Sequence, residues 1–72
     1  MKSEELYKRV GLKIREIRTL KGISLQSFSD HLNIEYSNVI RIEKGRTNPT
    51  LGTLYKICQI LEIKLVDIFD VE

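Results

Sequence analysis

The sequence predicts an all-α fold, a compact domain of five short helices. Apolar residues recur at helical spacing in five segments, and serine, threonine, glycine or asparagine stands at most of their boundaries, as at helix ends. No segment combines alternating apolar residues with the tight turn of a β-hairpin. With 72 residues, the chain is expected to form one domain over residues 1–72, near the lower size limit for a self-sufficient hydrophobic core.

The first helix is predicted from Ser3 to Leu20. Ser3 can act as its N-cap, and two acidic residues, Glu4 and Glu5, follow near the positive end of the helix dipole. Gly22 ends the helix. The residues predicted to face the core are Leu6, Val10, Ile14 and Ile17.

The second helix is predicted to begin at Ser24, whose hydroxyl can accept a hydrogen bond from a free backbone N–H of the first turn. Phe28 and Leu32 face inward, with Ser29 as a small residue on the same side. The helix should end near Asn33, because asparagine tolerates the left-handed conformation that a turn requires.

The third helix is predicted from Tyr36 to Lys44, after a turn over residues 33–35, and it stops at Gly45. Val39 and Ile42 share one face. Two short helices joined by a tight turn form a helix-turn-helix, here residues 24–44, an arrangement that places the second helix in the DNA major groove. The residues on or beside the opposite, outward face are Ser37, Ile40, Arg41 and Lys44.

Two further helices should close the core beneath the helix-turn-helix. Thr50 is predicted to cap the fourth helix, whose buried stripe is Leu54, Ile57, Cys58 and Leu61. The fifth is predicted over Ile63–Val71, although Lys64 is a poor cap at its start. Its inward residues are predicted to be Leu65, Ile68 and Phe69.

The residue content argues against an enzyme. Cys58 and His31 each occur once, so the chain has neither an intrachain disulfide pair nor a zinc-type cluster. No histidine stands near Cys58 in a nucleophile pattern, so Cys58 is predicted to be a small core residue and not a nucleophile. We therefore predict no catalytic site, no metal and no cofactor. Without a run of eighteen apolar residues or a secretory leader, a cytoplasmic protein with no membrane association is expected.

The charge is unevenly distributed along the chain. The net charge is only +2, but residues 1–46 contain ten Lys/Arg against six Asp/Glu, whereas residues 47–72 contain two against four. The basic part includes the predicted helix-turn-helix. Such asymmetry can orient a domain on a polyanion, although it is equally compatible with an ordinary charged surface.

Three stretches carry a resemblance to a known family: IREIRTLKGIS, NVIRIEKGRTNPTLGTLYKI and LVDIF. From about Val10 to Phe69 the chain resembles the Cro/C1-type, or Xre-type, lambda-repressor-like helix-turn-helix regulators. The resemblance implies a five-helix lambda-repressor-like DNA-binding domain. It also implies a sequence-specific transcriptional regulator, a repressor, which binds double-stranded DNA as a homodimer with its third helix in the major groove.

The resemblance places base reading at the start and along the outer face of the third helix. Arg41 has the planar fork that can bind O6 and N7 of guanine together, and Ile40 can pack on a thymine methyl. Each of these residues could instead be an ordinary solvent-facing helix residue. The predicted base-contacting residues are Tyr36, Ser37, Asn38, Ile40 and Arg41.

Phosphate contacts are implied at the start of the second helix and in the loop after the third. The sequence departs from the family pattern at Leu25, where a phosphate-binding glutamine is usual. It departs again at Glu35, where a serine or threonine cap is usual, and at Asn33, which replaces the usual turn glycine. The predicted phosphate-contacting residues are Ser24, Gln26, Lys44, Arg46, Thr47 and Asn48.

The resemblance also implies a partly buried ion pair between Arg18 and Glu43, which lie at the margins of their apolar faces. The alternative is two separately solvated charges.

A dimer surface is predicted in the C-terminal part, which holds more apolar residues than the core can use. The alternative is a monomer with ordinary surface hydrophobics. The predicted interface residues are Ile60, Leu65, Val66, Phe69 and Val71.

A second class of function stays open at the level of sequence. Domains of this kind also serve as protein-interaction modules, such as the antitoxin of a toxin-antitoxin pair with a cognate toxin as partner. The two functions are compatible, because an antitoxin of this family usually represses its own operon as well.

Overall fold

The computed structural model describes residues 1–69. This part of the chain contains no β-strand, which confirms the predicted all-α fold. The prediction of Ile63–Val71 for the last helix is wrong at its start, and Val71 lies outside the described residues. The helices are α1 (Ser3–Leu20), α2 (Leu25–Leu32), α3 (Tyr36–Glu43), α4 (Leu51–Leu61) and α5 (Leu65–Phe69).

All five helices contribute to one hydrophobic core. α1 packs against α3, α4 and α5, and α2 packs against α3 and α4. Phe28 is the largest of the fully buried side chains and is 0% exposed. The buried apolar residues are Val10, Ile14, Phe28, Leu32, Val39, Ile42, Leu54, Ile57, Cys58, Leu61 and Ile68.

Two of the three predicted N-caps are confirmed. The Ser24 hydroxyl accepts from the Ser27 N–H at 3.1 Å, and the Thr50 hydroxyl accepts from the Thr53 N–H at 3.1 Å. The prediction of Ser3 as a cap is wrong. α1 begins at Ser3 itself, so Ser3 is the first helical residue and not the residue before the helix. Lys2 occupies the cap position and makes no side-chain capping bond.

Four helices end in the same way, with a residue in the left-handed conformation. Gly22 and Gly45 both have φ +70°, and Asn33 has φ +56°, as the sequence indicated. Glu62 adopts φ +57° at the end of α4, a conformation that costs a non-glycine residue roughly 1–2 kcal/mol. In each case two backbone N–H groups bond back to the last turn, which satisfies carbonyls that the helix leaves free.

The cap of α5 comes from a residue inside the helix. The Asp67 carboxylate accepts from the Lys64 N–H at 2.9 Å, which is the reciprocal half of a capping box. This bond explains why α5 begins at Leu65 although Lys64 cannot cap it with its own side chain.

Two residues predicted to face the core are instead partly open to solvent. Leu6 is 36% exposed and Phe69 is 44% exposed. Both line an apolar cavity of about 100 Å³ at the start of α1 and the end of α5. Leu6 lies in the first turn of α1 and is covered only in part, so the helical period overestimates the length of the buried stripe.

The described residues contain no helix both long enough and apolar enough to cross a lipid bilayer.

Candidate nucleic-acid interface

The third helix has one buried face and one face open to solvent. Val39 is 0% exposed and Ile42 is 6% exposed, so the helix is anchored by its apolar side. Ile40 is half-buried between the two faces. The exposed side presents an arginine guanidinium, an amide and two hydroxyls, groups that can all hydrogen-bond to base edges or phosphates. These exposed residues are Tyr36, Ser37, Asn38 and Arg41.

The predicted phosphate residues lie at two places beside this face. The Ser24 hydroxyl accepts a bond within α2, which leaves its proton available to a phosphate. Gln26 donates to the Asp30 carboxylate at 3.0 Å and would have to exchange that partner to reach DNA. Among the loop residues, Lys44, Arg46 and Asn48 are exposed and Thr47 is half-buried.

The turn between α2 and α3 is held by backbone geometry more than by side chains. Asn33 provides the left-handed turn residue, and the Ile34 N–H bonds to the Ser29 carbonyl at 3.2 Å. Glu35 occupies the cap position of α3 but makes no side-chain capping bond. Its exposed carboxylate therefore stands at the start of α3 without a capping hydrogen bond.

The close approach of α1 to α3 depends on Gly11, a residue that the sequence reasoning missed. A Cβ atom there would lie 2.6 Å from the Glu43 carbonyl oxygen and closer still to that of Ile42. A glycine inside an otherwise helical pattern is the signal that could have indicated this contact. Because Gly11 has no side chain, the backbone of α1 touches the last turn of α3.

Gly45 makes a second close approach between the same two elements. A Cβ atom at Gly45 would lie 2.5 Å from the backbone nitrogen of Lys8, and it would also require a side chain at φ +70°. Glycine at this position therefore ends α3 and also allows the following chain to pass against α1.

The structure brings Arg18 and Glu43 together as a two-pronged ion pair between α1 and α3. The Nε and Nη2 groups of Arg18 donate to the two carboxylate oxygens of Glu43 at 2.7 and 3.1 Å. Nη1 donates to the Ile23 carbonyl at 2.8 Å. The Arg18 side chain is 12% exposed and that of Glu43 is 5% exposed, so Glu43 lies deeper than its marginal position on α3 indicated.

The proposed dimer residues differ in exposure. Ile60 and Leu65 are half-buried and pack against the core, whereas Val66 is 65% exposed and Phe69 is 44% exposed. Val71 lies outside the described residues. Two further large apolar residues, Leu51 and Tyr55, are exposed on α4.

Cys58 and His31 lie on different helices and in different environments. Cys58 is 2% exposed, and burial, helped by the charge of Asp67, raises the pKa of its thiol, so the reactive thiolate is disfavoured. His31 is exposed on α2, with Nδ1 2.8 Å from the Ser27 carbonyl oxygen. Residues 1–69 contain no group of three or more acidic, cysteine or histidine residues that could hold a metal.

Comparison with known proteins gives one consistent result. The sequence profile described as helix-turn-helix matches residues 14–68. The uncharacterized HTH-type transcriptional regulator YgzD of Bacillus subtilis is 32% identical over 60 residues, which cover 83% of this chain and 91% of YgzD. The HTH-type transcriptional regulator SlrR of Bacillus subtilis is 34% identical over 64 residues, 88% of this chain but 42% of SlrR.

A solved structure agrees with this result. The crystal structure of the restriction-modification controller protein C.AhdI from Aeromonas hydrophila superposes with a TM-score of 0.82 at 31% sequence identity. The match covers 90% of this chain and 97% of that one.

Proposed function

The chain belongs to the helix-turn-helix family of DNA-binding transcriptional regulators, and from that premise we propose that it is a sequence-specific repressor that acts as a homodimer. Its third helix enters the major groove of double-stranded DNA. A domain bound across a promoter excludes other proteins from that DNA, which is the simplest route to repression. The cytoplasm is the corresponding setting, and the whole of residues 1–72 forms one such domain.

The observation that carries this proposal is the division of α3 into two faces. The buried face is held by core residues and by backbone contacts to α1, so the helix has one fixed orientation. The opposite face is exposed over its whole length and presents groups suited to base edges. In this assignment Arg41 reads a guanine, and Ser37 and Asn38 read or position the neighbouring nucleotides.

The cationic loop after α3 supplies the second half of the interface. Lys44 and Arg46 are exposed and close in sequence to the proposed reading face, which supports their assignment to the phosphate backbone. Phosphate contacts set the register of a protein on the duplex, whereas base contacts select the sequence. The two arginines therefore have distinguishable roles, Arg41 in selectivity and Arg46 in general affinity.

We expect Arg41→Ala to weaken binding to the preferred sequence by about 1–3 kcal/mol, because it removes a two-pronged contact to one base. Binding is measured by fluorescence anisotropy in a salt series. The duplexes are the region upstream of the protein's own gene and sites selected from a random double-stranded library. Arg46→Ala is the matched control and should weaken all duplexes alike, with the salt slope reduced by about one.

Equal losses for Arg41→Ala on preferred and random duplexes would contradict base reading by α3. If the wild-type protein binds every duplex weakly and without sequence preference, the repressor proposal fails. The protein-interaction role, with a cognate toxin or another protein as partner, then becomes the function to pursue.

Homodimer formation is supported by the apolar residues left open at the C-terminal end of the described chain. One α3 contacts too few base pairs for high selectivity, and a two-fold dimer doubles the contacted sequence. We expect Val66→Lys to shift the protein from dimer to monomer in sedimentation equilibrium, because it places a charge in an apolar contact. Leu20→Lys is the matched control, since Leu20 is 87% exposed at the end of α1 and is not among the proposed dimer residues.

A wild-type protein that sediments as a monomer at all concentrations would contradict the dimer. An equal effect of Val66→Lys and Leu20→Lys would show that the contact lies elsewhere or that added charge acts non-specifically.

A further inference from the structure

A shallow depression between α1, α2 and α3 contains a cation, Arg15, that the proposed interface leaves unused. Its volume is about 240 Å³ and it opens to solvent beside the third helix. Leu25 and Ile40 contribute apolar surface to it, and three cations and one carboxylate complete the lining. The charged residues are Arg15, Arg18, Glu43 and Lys44.

Two of these charges neutralise each other. Arg18 directs Nε and Nη2 to the two oxygens of Glu43 and Nη1 to the Ile23 carbonyl, so each of its three nitrogens has a partner. The Glu43 carboxylate is likewise occupied at both oxygens. This pair therefore contributes almost no net charge to the depression.

The other two cations are exposed and have no partner among residues 1–69. Neither the Arg15 guanidinium nor the Lys44 ammonium forms a hydrogen bond or an ion pair there. Arg15 comes from α1 and Lys44 from the end of α3, so two elements bring positive charge to one concavity. The depression has a net charge of about +2 and can accept a single anionic group.

We infer that this depression binds a backbone phosphate of the DNA, with Arg15 as a phosphate-contacting residue that acts together with Lys44. The inference rests on the proposed function and adds α1 to the interface. The guanidinium of Arg15 offers several N–H donors in a planar fork suited to phosphate oxygens. Leu25, the residue of α2 at this depression, has no donor side chain, so the donor groups come from the flanking helices.

The test compares wild type with Arg15→Gln in anisotropy titrations on a specific and a random duplex between about 50 and about 200 mM salt. Each neutralised phosphate contributes about 0.9 to the slope of log affinity against log salt. Arg15→Gln should therefore reduce the slope by about one on both duplexes. Its affinity deficit relative to wild type should shrink about three-fold over this salt range.

Lys56→Gln is the matched control, because it removes the same charge from an exposed position on α4, beside a different depression. It should keep nearly the wild-type slope. Arg15→Gln should also keep the wild-type melting temperature, since Arg15 is exposed and its side chain has no partner to lose.

The possible outcomes separate this inference from the proposed function. Wild-type binding with an Arg15→Gln slope equal to that of wild type or of Lys56→Gln overturns the phosphate site alone. A loss confined to one duplex sequence also overturns it, because a phosphate contact carries no sequence information. Absence of salt-dependent DNA binding by the wild type overturns the proposed function, and the phosphate site with it.

Discussion

The substitution Gly45→Ala is expected to lower the free energy of unfolding by about 2–5 kcal/mol. A left-handed conformation at alanine costs roughly 1–2 kcal/mol, and overpacking against a backbone costs typically 1–3 kcal/mol. Both apply here, because φ is +70° and the added Cβ would lie 2.5 Å from the backbone nitrogen of Lys8. A domain of 72 residues has a total stability of only about 4–11 kcal/mol, so this loss is a large fraction of the whole.

Substitutions at two other glycines allow the backbone strain and the steric clash to be measured separately. Gly22 has the same φ of +70° but open space around its Cβ position, so Gly22→Ala has strain without a clash. Gly11 has the clash with the Ile42 and Glu43 carbonyls inside a helix, without a left-handed backbone. Urea denaturation should rank Gly45→Ala as the most damaging of the three and Gly22→Ala as the mildest.

Equal losses for Gly22→Ala and Gly45→Ala would show that only the backbone conformation matters, and that α1 and the end of α3 are not in close contact. Gly11→Ala bears on function as well. The Ile42 carbonyl already accepts from the Gly45 N–H at 3.0 Å, so it cannot move away without weakening the end of α3. Relief of the clash must therefore change the position of α3 relative to α1. We expect DNA affinity to fall together with stability.

Breaking the ion pair between Arg18 and Glu43 from one side is expected to cost about 3–5 kcal/mol, because the remaining charge stays buried without its partner. Glu43→Leu leaves the Arg18 guanidinium with only the Ile23 carbonyl, and Arg18→Met leaves a carboxylate that is 5% exposed. The double variant Arg18→Met/Glu43→Leu removes both charges. It should recover most or all of the lost stability, since apolar replacements of similar volume tolerate such a site.

The measurement is a double-mutant cycle in urea, in which the coupling energy is the difference between the double variant and the sum of the single ones. A large favourable coupling is expected. Single variants within about 0.5 kcal/mol of wild type would contradict it, because a pair that contributes so little behaves as an exposed ion pair.

The glycine substitutions at 11 and 45 and the ion-pair substitutions all affect contacts by which α1 supports α3. The two helices touch through the backbone at Gly11 and Gly45 and through the side chains of Arg18 and Glu43. The proposed reading face is on the opposite side of α3. Contacts outside the proposed reading face therefore hold α3 in its orientation, and we expect damage to them to appear as lost DNA affinity.

The sequence by itself determined the five helices and most of their ends. Ser24, Thr50, Gly22, Asn33 and Gly45 act within three or four residues of their own positions, so their effect can be predicted from neighbours in the chain. The same holds for the two faces of α3, because helical periodicity depends on local spacing alone. The helix-turn-helix was predictable for these reasons.

The tertiary structure decided what local spacing cannot specify. Leu6 and Phe69 follow the helical period but are only partly covered by the packing of the helices. The contacts of Gly11, the deep burial of Glu43 and the joint placement of Arg15 and Lys44 each require two segments distant in sequence to meet. Local hydrogen bonds are determined by a few adjacent residues, whereas burial and charge environment depend on how all the helices pack.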